Sequence, residues 1–259
     1  MTTAPLLGAG DPPLFTIERA DGGSPFLLTG DHAGQHVPRQ LDDLGLSAEA
    51  LGTHVASDLG IAGLGRRLAT HLDAFAILHN YSRLVVDANR PPDSPESILV
   101  LSERTRIPRN EDVSTAEAAQ RRAEVFDPYH ARIAAEIDRR TQHGRRTVLV
   151  ALHSFTPRYL DVDRPWHVGV LHRGTADFGR TVVEHLRRDA TLVVGDNEPY
   201  ALDDASDYTV LVHGEQREIP FVELEVRQDL LADADGRERW AARLAAVLRD
   251  ALSGETGTR

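Results

Sequence analysis

Short apolar runs alternate with stretches of helical periodicity along most of this chain. The apolar runs are continuous and rich in β-branched residues, which is typical of strands covered on both faces. They lie at 26–28, 75–78, 84–86, 148–152, 168–171, 192–194, 210–212 and 221–226. Strands that alternate with helices predict an α/β fold, in which helices flank both faces of a mixed, mostly parallel sheet.

The helices are indicated by apolar repeats and by capping residues. One repeat consists of Ile61, Leu64, Leu68 and Leu72, and Asp58 stands where a helix cap would lie. Ser114 and Glu117 form a capping box that opens a long helix towards Gln142. Pro128 should kink or divide that helix. Two further helices are predicted at about 177–188 and 237–252.

Length and composition exclude several classes of protein. The 259 residues show no internal repeat or Gly/Ser linker, so we expect one catalytic domain over 1–259. The absence of cysteine excludes disulfides and thiolate metal sites. A net charge of −11 argues against a nucleic-acid partner. Because no apolar run approaches about 18 residues and the N-terminus is unlike a signal peptide, we expect a soluble, cytoplasmic protein without a membrane segment.

Two histidines are placed where an open α/β sheet binds ligands. His153 follows the run at 148–152, and His32 follows the run at 26–28 between Gly30 and Gly34. Ligands in such folds bind at the carboxyl ends of the strands. Either histidine alone could equally be bonded to a neighbouring loop. Two of them with small neighbours favour a metal site, and catalytic zinc usually takes three protein ligands.

Asp58 is our choice for the third ligand. The same aspartate is also well placed to cap the following helix, and one carboxylate can serve both roles. Gln35, His36 and His54 are weaker candidates.

Two further clusters offer groups that bind or activate a substrate. Asn89 and Arg90 follow the run at 84–86, and an arginine fork can bind a carboxylate through two hydrogen bonds. Arg83 is a second candidate for that task, and the alternative is an ion pair between Asp87 and an arginine. In the run at 221–226, alternation places Glu223, Glu225 and Arg227 on one face of a strand. That polar row faces either a cavity or, on an edge strand, the solvent.

Taken in order along the chain, these clusters resemble the N-formylglutamate amidohydrolase family, which is similar to the zinc carboxypeptidase-like hydrolases. The matching motifs run from about Leu28 to Leu230. They are Gly30-Asp31-His32-Ala33-Gly34 with Pro38, Ser57-Asp58-Leu59-Gly60, 82–91, Leu152-His153-Ser154-Phe155, 195–200 and 225–230. One departure concerns Gln35, which stands where the carboxypeptidase pattern has a glutamate ligand. For that reason Asp58 enters the ligand set.

The resemblance implies hydrolysis of an N-acyl amino acid such as N-formylglutamate. It identifies His32 and His153 as ligands of Zn²⁺ or another divalent metal, Asn89 and Arg90 as the carboxylate-binding pair, and Glu225 as the general base. Arg227 is expected to stabilise the oxyanion or to orient Glu225, and His213 and Tyr208 are additional candidate donors.

The substrate is the least specified part of this interpretation. A deacylase or peptidase that acts on other N-acyl amino acids or small peptides would use the same residues. A non-catalytic protein that binds a carboxylated metabolite is an alternative of another class. The sequence leaves the oligomeric state open.

Overall fold

A seven-stranded mixed sheet organises the protein in a computed structural model, which describes residues 4–173 and 177–256. Its strands are β1 (Phe15–Glu18), β2 (Phe26–Gly30), β3 (Phe75–His79), β6 (Val148–Phe155), β9 (Val168–Leu171), β10 (Val194–Asp196) and β11 (Phe221–Arg227). Two small hairpins lie outside the sheet, formed by β4 (Leu101–Ser102) with β5 (Thr105–Arg106) and by β7 (Arg158–Tyr159) with β8 (Val162–Asp163).

The sheet is parallel at its centre and mixed at its edges. The strand order is β1-β3-β2-β6-β11-β9-β10, and β3, β2, β6 and β11 run parallel. Strands β1 and β9 are antiparallel to their neighbours β3 and β11. The carboxyl ends of the four central strands therefore meet at one edge of the sheet.

Seven α-helices surround the sheet within the described residues. They are α1 (Ala48–Leu51), α2 (Ile61–Leu72), α3 (Thr115–Arg121), α4 (Asp127–Gln142), α5 (Asp177–Leu186), α6 (Thr209–His213) and α7 (Ala234–Thr256). A π-helical segment at Arg122–Phe126 joins α3 to α4 without a break, and Pro128 is the second residue of α4. The predicted long helix is therefore continuous, with a π-bulge before Pro128 instead of a division. The side chain of Ser114 accepts the N–H of Glu117, as the capping box predicts.

Alternation along the central strands divides the core into two layers. Leu28, Val150 and Leu224 point to the face that carries α2, α5 and α7. Leu27 and Leu149, one residue out of phase, point to the face that carries α4 and α6. The predicted fold class, an α/β fold with a mostly parallel sheet between helices, is thus confirmed.

Three predicted strands differ from the structure. Residues 84–86 form turns, and their side chains lie in a third apolar cluster among the loops. Residues 210–212 belong to α6, where Val210 and Leu211 are buried against the sheet. Strand β10 begins at Val194 rather than at residue 192, because Asp189 holds Thr191 in a turn. No helix among the described residues is long and apolar enough to cross a membrane.

Candidate active site

The loop that follows β2 carries His32 to the carboxyl edge of the sheet. Gly34 makes this loop possible, since a Cβ atom there would lie 2.0 Å from the carbonyl oxygen of Asn80. The backbone carbonyl of His32 accepts the N–H of Asp58 at 2.8 Å, which fastens the next segment beside it. His153 lies within β6, which continues to Phe155, and not after the strand as predicted. The side chains of His32, Asp58 and His153 are all buried.

Asp58 does not cap α2. The helix begins at Ile61, and the residue before it is Gly60, which has a left-handed backbone conformation with φ of +86°. No side chain caps the N-terminus of this helix. The carboxylate of Asp58 instead accepts the backbone N–H of Ser154 at 3.2 Å and lies 2.9 Å from His153 Nδ1. The cap predicted for Asp58 was therefore wrong, and this carboxylate faces the two histidines.

These three side chains form a compact set of metal-binding atoms. One nitrogen each from His32 and His153 and one oxygen from Asp58 lie within 4.8 Å of one another. The two imidazole rings are 5.0 Å apart between centroids. Nδ1 of His32 is buried, has no hydrogen-bond partner among the described residues, and lies 3.6 Å from the Asp58 carboxylate. A buried nitrogen without a partner, beside a carboxylate and a second imidazole, fits a divalent metal.

A carboxylate stands behind each histidine. Asp87 lies 2.7 Å from Nε2 of His32, so a proton on that nitrogen leaves Nδ1 free to act as a ligand. Asp31 lies 3.4 Å from Nε2 of His153, and its other oxygen accepts the hydroxyl of Tyr129 at 2.6 Å. Proteins commonly orient metal-binding histidines in this way.

The charges around the histidines set unusual protonation states. Burial lowers the pKa of His153, but Glu223, Asp31 and Asp58 outweigh that effect and raise it well above the ordinary value. Burial raises the pKa of Asp31, but the imidazoles of His153 and His32 hold it at about 2. Asp31 therefore stays ionised as a partner for His153.

Two glutamates on β11 face the same space. Glu225 pairs in register with His153, and Glu223 lies one alternation earlier on that face. Burial raises the pKa of Glu223 to about 7 and that of Glu225 well above its ordinary value. Val222, Leu224 and Val226 point into the opposite core layer, so the predicted alternation of this strand is confirmed.

A cavity of about 510 Å³ opens over these groups. Of the predicted substrate-binding residues, Arg83, Asn89 and Arg90 line it. Arg83 forms an ion pair with Asp87 at 2.8 Å and approaches Asp58 at 3.7 Å. The Asp87–arginine ion pair, which the sequence offered as an alternative, is thus present, and Arg83 is its partner.

Asn89 and Arg90 are held by the segment that leads into α6. The amide oxygen of Asn89 accepts the backbone N–H groups of Tyr208 and Thr209, at 3.1 and 2.9 Å. Arg90 donates from Nη1 to the carbonyl oxygen of Ser206. These bonds fix both side chains at the wall of the cavity.

Three predicted site residues lie elsewhere. Arg227 is the last residue of β11 and pairs with Asp229 at 2.8 Å. His213 is buried against His130, 3.0 Å away, between α6 and α4. The ring of Tyr208 packs on Phe126 and His130, so only its backbone supports the site. The cavity is not lined by any of these three side chains, and we assign them no catalytic or substrate-binding role.

Sequence reasoning did not identify Asp31 and Asp87 as the partners of the two histidines, and it named Glu223 only as a member of the polar row on one strand. The signal for Asp31 was its position directly before His32 in a motif already singled out. The signal for Glu223 was the same strand alternation that indicated Glu225, since the two residues are two positions apart on one face.

A family model described as N-formylglutamate amidohydrolase matches residues 24–232. The chain belongs to this family. The resemblance drawn from the motifs is thereby confirmed, and the enzyme is a hydrolase that acts on amide bonds. No curated protein matches the chain at a significant level.

Two solved structures are similar to this amidohydrolase. The gene product Atu2144 from Agrobacterium tumefaciens is 32% identical, with a TM-score of 0.94 over 97% of this chain and 99% of that chain. The N-formylglutamate amidohydrolase from Ralstonia eutropha JMP134 is 18% identical, with a TM-score of 0.72 over 94% of this chain and 99% of that chain. At 18% identity, the similarity to the Ralstonia eutropha protein shows a shared fold.

Proposed function

We propose that this protein is a metal-dependent amidohydrolase that removes the N-acyl group of an N-acyl amino acid, with N-formylglutamate as the first substrate to test. Residues 1–259 would act as one catalytic domain on a small molecule. The observation that carries the proposal is the convergence of His32, Asp58 and His153 at a cavity that Glu225 and Arg90 also line.

His32, Asp58 and His153 would hold the metal, with Zn²⁺ as the expected ion. Two imidazoles and one carboxylate are a ligand set of catalytic zinc sites. The bound ion would act as a Lewis acid that polarises the acyl carbonyl and lowers the pKa of a water molecule. Asp87 and Asp31 would keep the two imidazoles oriented from behind.

The remaining residues bind the substrate and move its protons. Arg90, supported by Asn89, would bind the free carboxylate of the amino acid and so fix the amide at the inner end of the cavity. Glu225 would take the proton of the attacking water and deliver it to the leaving nitrogen. Arg83 lies 3.7 Å from Asp58 and would supply positive charge beside the developing oxyanion.

Metal content and amide hydrolysis test the proposal together. We expect about one divalent ion per chain by elemental analysis, and release of formate or another acid from N-acyl amino acids. His153→Ala should lose both the metal and the activity, whereas the exposed control His143→Ala should keep both. A His153→Ala variant that retains full metal content and activity would overturn the assignment.

A further inference from the structure

The cavity has more room than an amide and one carboxylate require. Its volume of about 510 Å³ lies in the range typical of sites for drug-sized ligands. The lining residues His32, Asp58, His153 and Glu225 are buried and form its inner end, whereas the exposed lining residues, such as Glu96, Leu101 and Tyr200, belong to its outer wall. The chemistry of that outer wall decides which group of the substrate it accepts.

Outside the two metal-site histidines, three basic residues line the cavity, and each has a partner. His54 pairs with Glu103 at 3.0 Å, and Arg83 pairs with Asp87 at 2.8 Å. Arg90 is the least committed to a carboxylate, since it bonds to a backbone carbonyl and lies 3.9 Å from Glu96. The lining therefore offers one arginine for one carboxylate of the substrate.

The outer cavity repels a second carboxylate. Glu96, Glu103 and Asp207 line it. His54 pairs with Glu103 and Arg90 lies 3.9 Å from Glu96, so among the lining residues Asp207 has no cationic partner, and Glu96 loses its own when Arg90 binds the substrate. Like charges brought together at a binding site reduce affinity and thereby select against a ligand. The net charge of −11 adds to this repulsion for a dianion.

An aromatic and aliphatic surface lies among these acids. Leu99, Leu101, Phe155, Tyr159 and Tyr200 line the cavity. The N–H of Leu160 bonds to Glu103 at 3.1 Å, which places the hairpin that carries Tyr159 beside the hairpin that carries Leu101. Leu101 and Tyr200 are 49% and 42% exposed, so part of this apolar surface is open to solvent. A ligand that covers them would remove apolar surface from water.

Arg164 supports this surface and does not line the cavity. Its guanidinium lies 4.7 Å from the ring centre of Tyr159 and 4.9 Å from that of Tyr200. It also donates to the Tyr200 hydroxyl at 2.8 Å. The charge of Arg164 thus holds the two rings in place.

We propose that the preferred substrate carries a single carboxylate and a large uncharged group, aromatic or aliphatic, that packs on Leu99, Leu101, Phe155, Tyr159 and Tyr200. The inference rests on the proposed function, because the same site positions the amide. A dicarboxylate such as N-formylglutamate is then a poor member of the substrate class.

A set of N-formyl-L-amino acids with one acyl group tests the inference. Glutamine has the shape of glutamate without its charge, so this pair isolates the second carboxylate. We expect kcat/KM for N-formylglutamine to exceed that for N-formylglutamate about tenfold, and N-formylphenylalanine to exceed N-formylglutamine by a similar factor. Equal or faster hydrolysis of N-formylglutamate would overturn the inference and leave the proposed function standing.

Calorimetric binding to the Glu225→Gln variant gives a readout that does not depend on turnover. The dissociation constants should follow the same order, with N-formylphenylalanine bound most tightly. If no compound is hydrolysed but this order holds, the proposed function is refuted and the ligand class stands. If N-formylglutamate binds as tightly as N-formylglutamine, or if none of the compounds binds, the inference is refuted.

A charge introduced into the wall should change the preference. Leu101→Arg places a cation beside the outer acids, so the ratio of kcat/KM for N-formylglutamine over N-formylglutamate should fall at least about fivefold. Val193→Arg is the matched control, because Val193 is 44% exposed, does not line the cavity, and bonds through its backbone to His167, which does not line it either. A ratio that falls equally in both variants would contradict the assignment of this wall.

Discussion

Each carboxylate at the site takes its protonation state from the balance between burial and its charged partners. Burial raises the pKa of Asp87, but Arg83 and His32 outweigh burial and hold it well below the ordinary value. Glu225 forms no salt bridge among the described residues, and burial raises its pKa well above the ordinary value. A glutamate with a raised pKa is suited to hold a proton between the attack of water and the departure of the amine.

The Glu225→Gln substitution tests this role. The amide keeps the size of the side chain but cannot accept the proton, so kcat should fall about 10²- to 10⁴-fold. The metal content should not change, since Glu225 is not among the proposed ligands. Rates of acid release and elemental analysis of the variant measure both effects. Glu49→Gln, on the exposed side of α1, is the control, and a fully active Glu225→Gln enzyme would refute the base assignment.

Asp31 should act on the metal through His153. Asp31→Asn keeps the oxygen that accepts the Tyr129 hydroxyl but removes the charge 3.4 Å from Nε2 of His153. We expect the metal to bind about 10- to 100-fold more weakly, as measured by competition with a chelator. Asp21→Asn is the control, since Asp21 is exposed and remote from the cavity. Unchanged affinity in Asp31→Asn would show that Asp31 does not orient the histidine.

At the scale of elements, apolar runs predicted strands where both faces are covered. β2, β6 and β11 lie between the two helical layers, and each was predicted as a strand from its apolar run. The run at 84–86 is equally apolar, but it is buried among loops. The run at 210–212 forms part of α6, because burial on one side of a short helix produces a similar apolar pattern. Periodicity over so few residues cannot separate these cases.

His130 and His213 join α4 to α6 through a buried pair of imidazoles. Nε2 of His130 lies 2.8 Å from the carbonyl of Ala88 and donates to it, so its Nδ1 accepts from His213 at 3.0 Å. Burial lowers the pKa of His130 to about 4 and that of His213 to about 3. Both rings are neutral in the folded protein at pH 5, whereas in the unfolded chain they protonate near pH 6.5.

This pair makes part of the stability depend on pH. The unfolded chain binds the extra proton, so the contribution of His213 is complete above pH 6.5 and falls as the pH drops towards its folded pKa. In His213→Gln, which retains a donor to His130, this dependence should be lost. When the pH falls from 7.5 to 4, the wild type should therefore lose about 3 kcal/mol more unfolding free energy than the variant does.

Urea denaturation at several pH values measures that difference. His143→Gln is the matched control, because His143 is exposed at the end of α4. A difference between wild type and His213→Gln that stays constant with pH would contradict a neutral, buried His213.

At the scale of the molecule, the strand order determines which contacts of the site could be predicted from the sequence. β2 and β6 are parallel neighbours, so their carboxyl ends lie side by side. The positions of His32 and His153 near those ends were therefore enough to predict that the two side chains converge. The contact between Asp31 and Tyr129 could not be predicted, since it joins positions 98 residues apart through the placement of α4. Arg227 had the same alternation as Glu225, but it lies at the end of β11, where Asp229 binds it.

The same convergence should make the stability of the whole molecule depend on the metal. The proposed ligands come from three segments that separate when the chain unfolds, so a metal held by them would bind the folded state preferentially. At a free metal concentration about 100 times its Kd, the free energy of unfolding should rise by about 2.7 kcal/mol. Urea midpoints with zinc and with a chelator measure the effect. His153→Ala should have a midpoint that zinc leaves unchanged, whereas His143→Ala should respond as the wild type does. An equal zinc response in His153→Ala would place the metal at other residues.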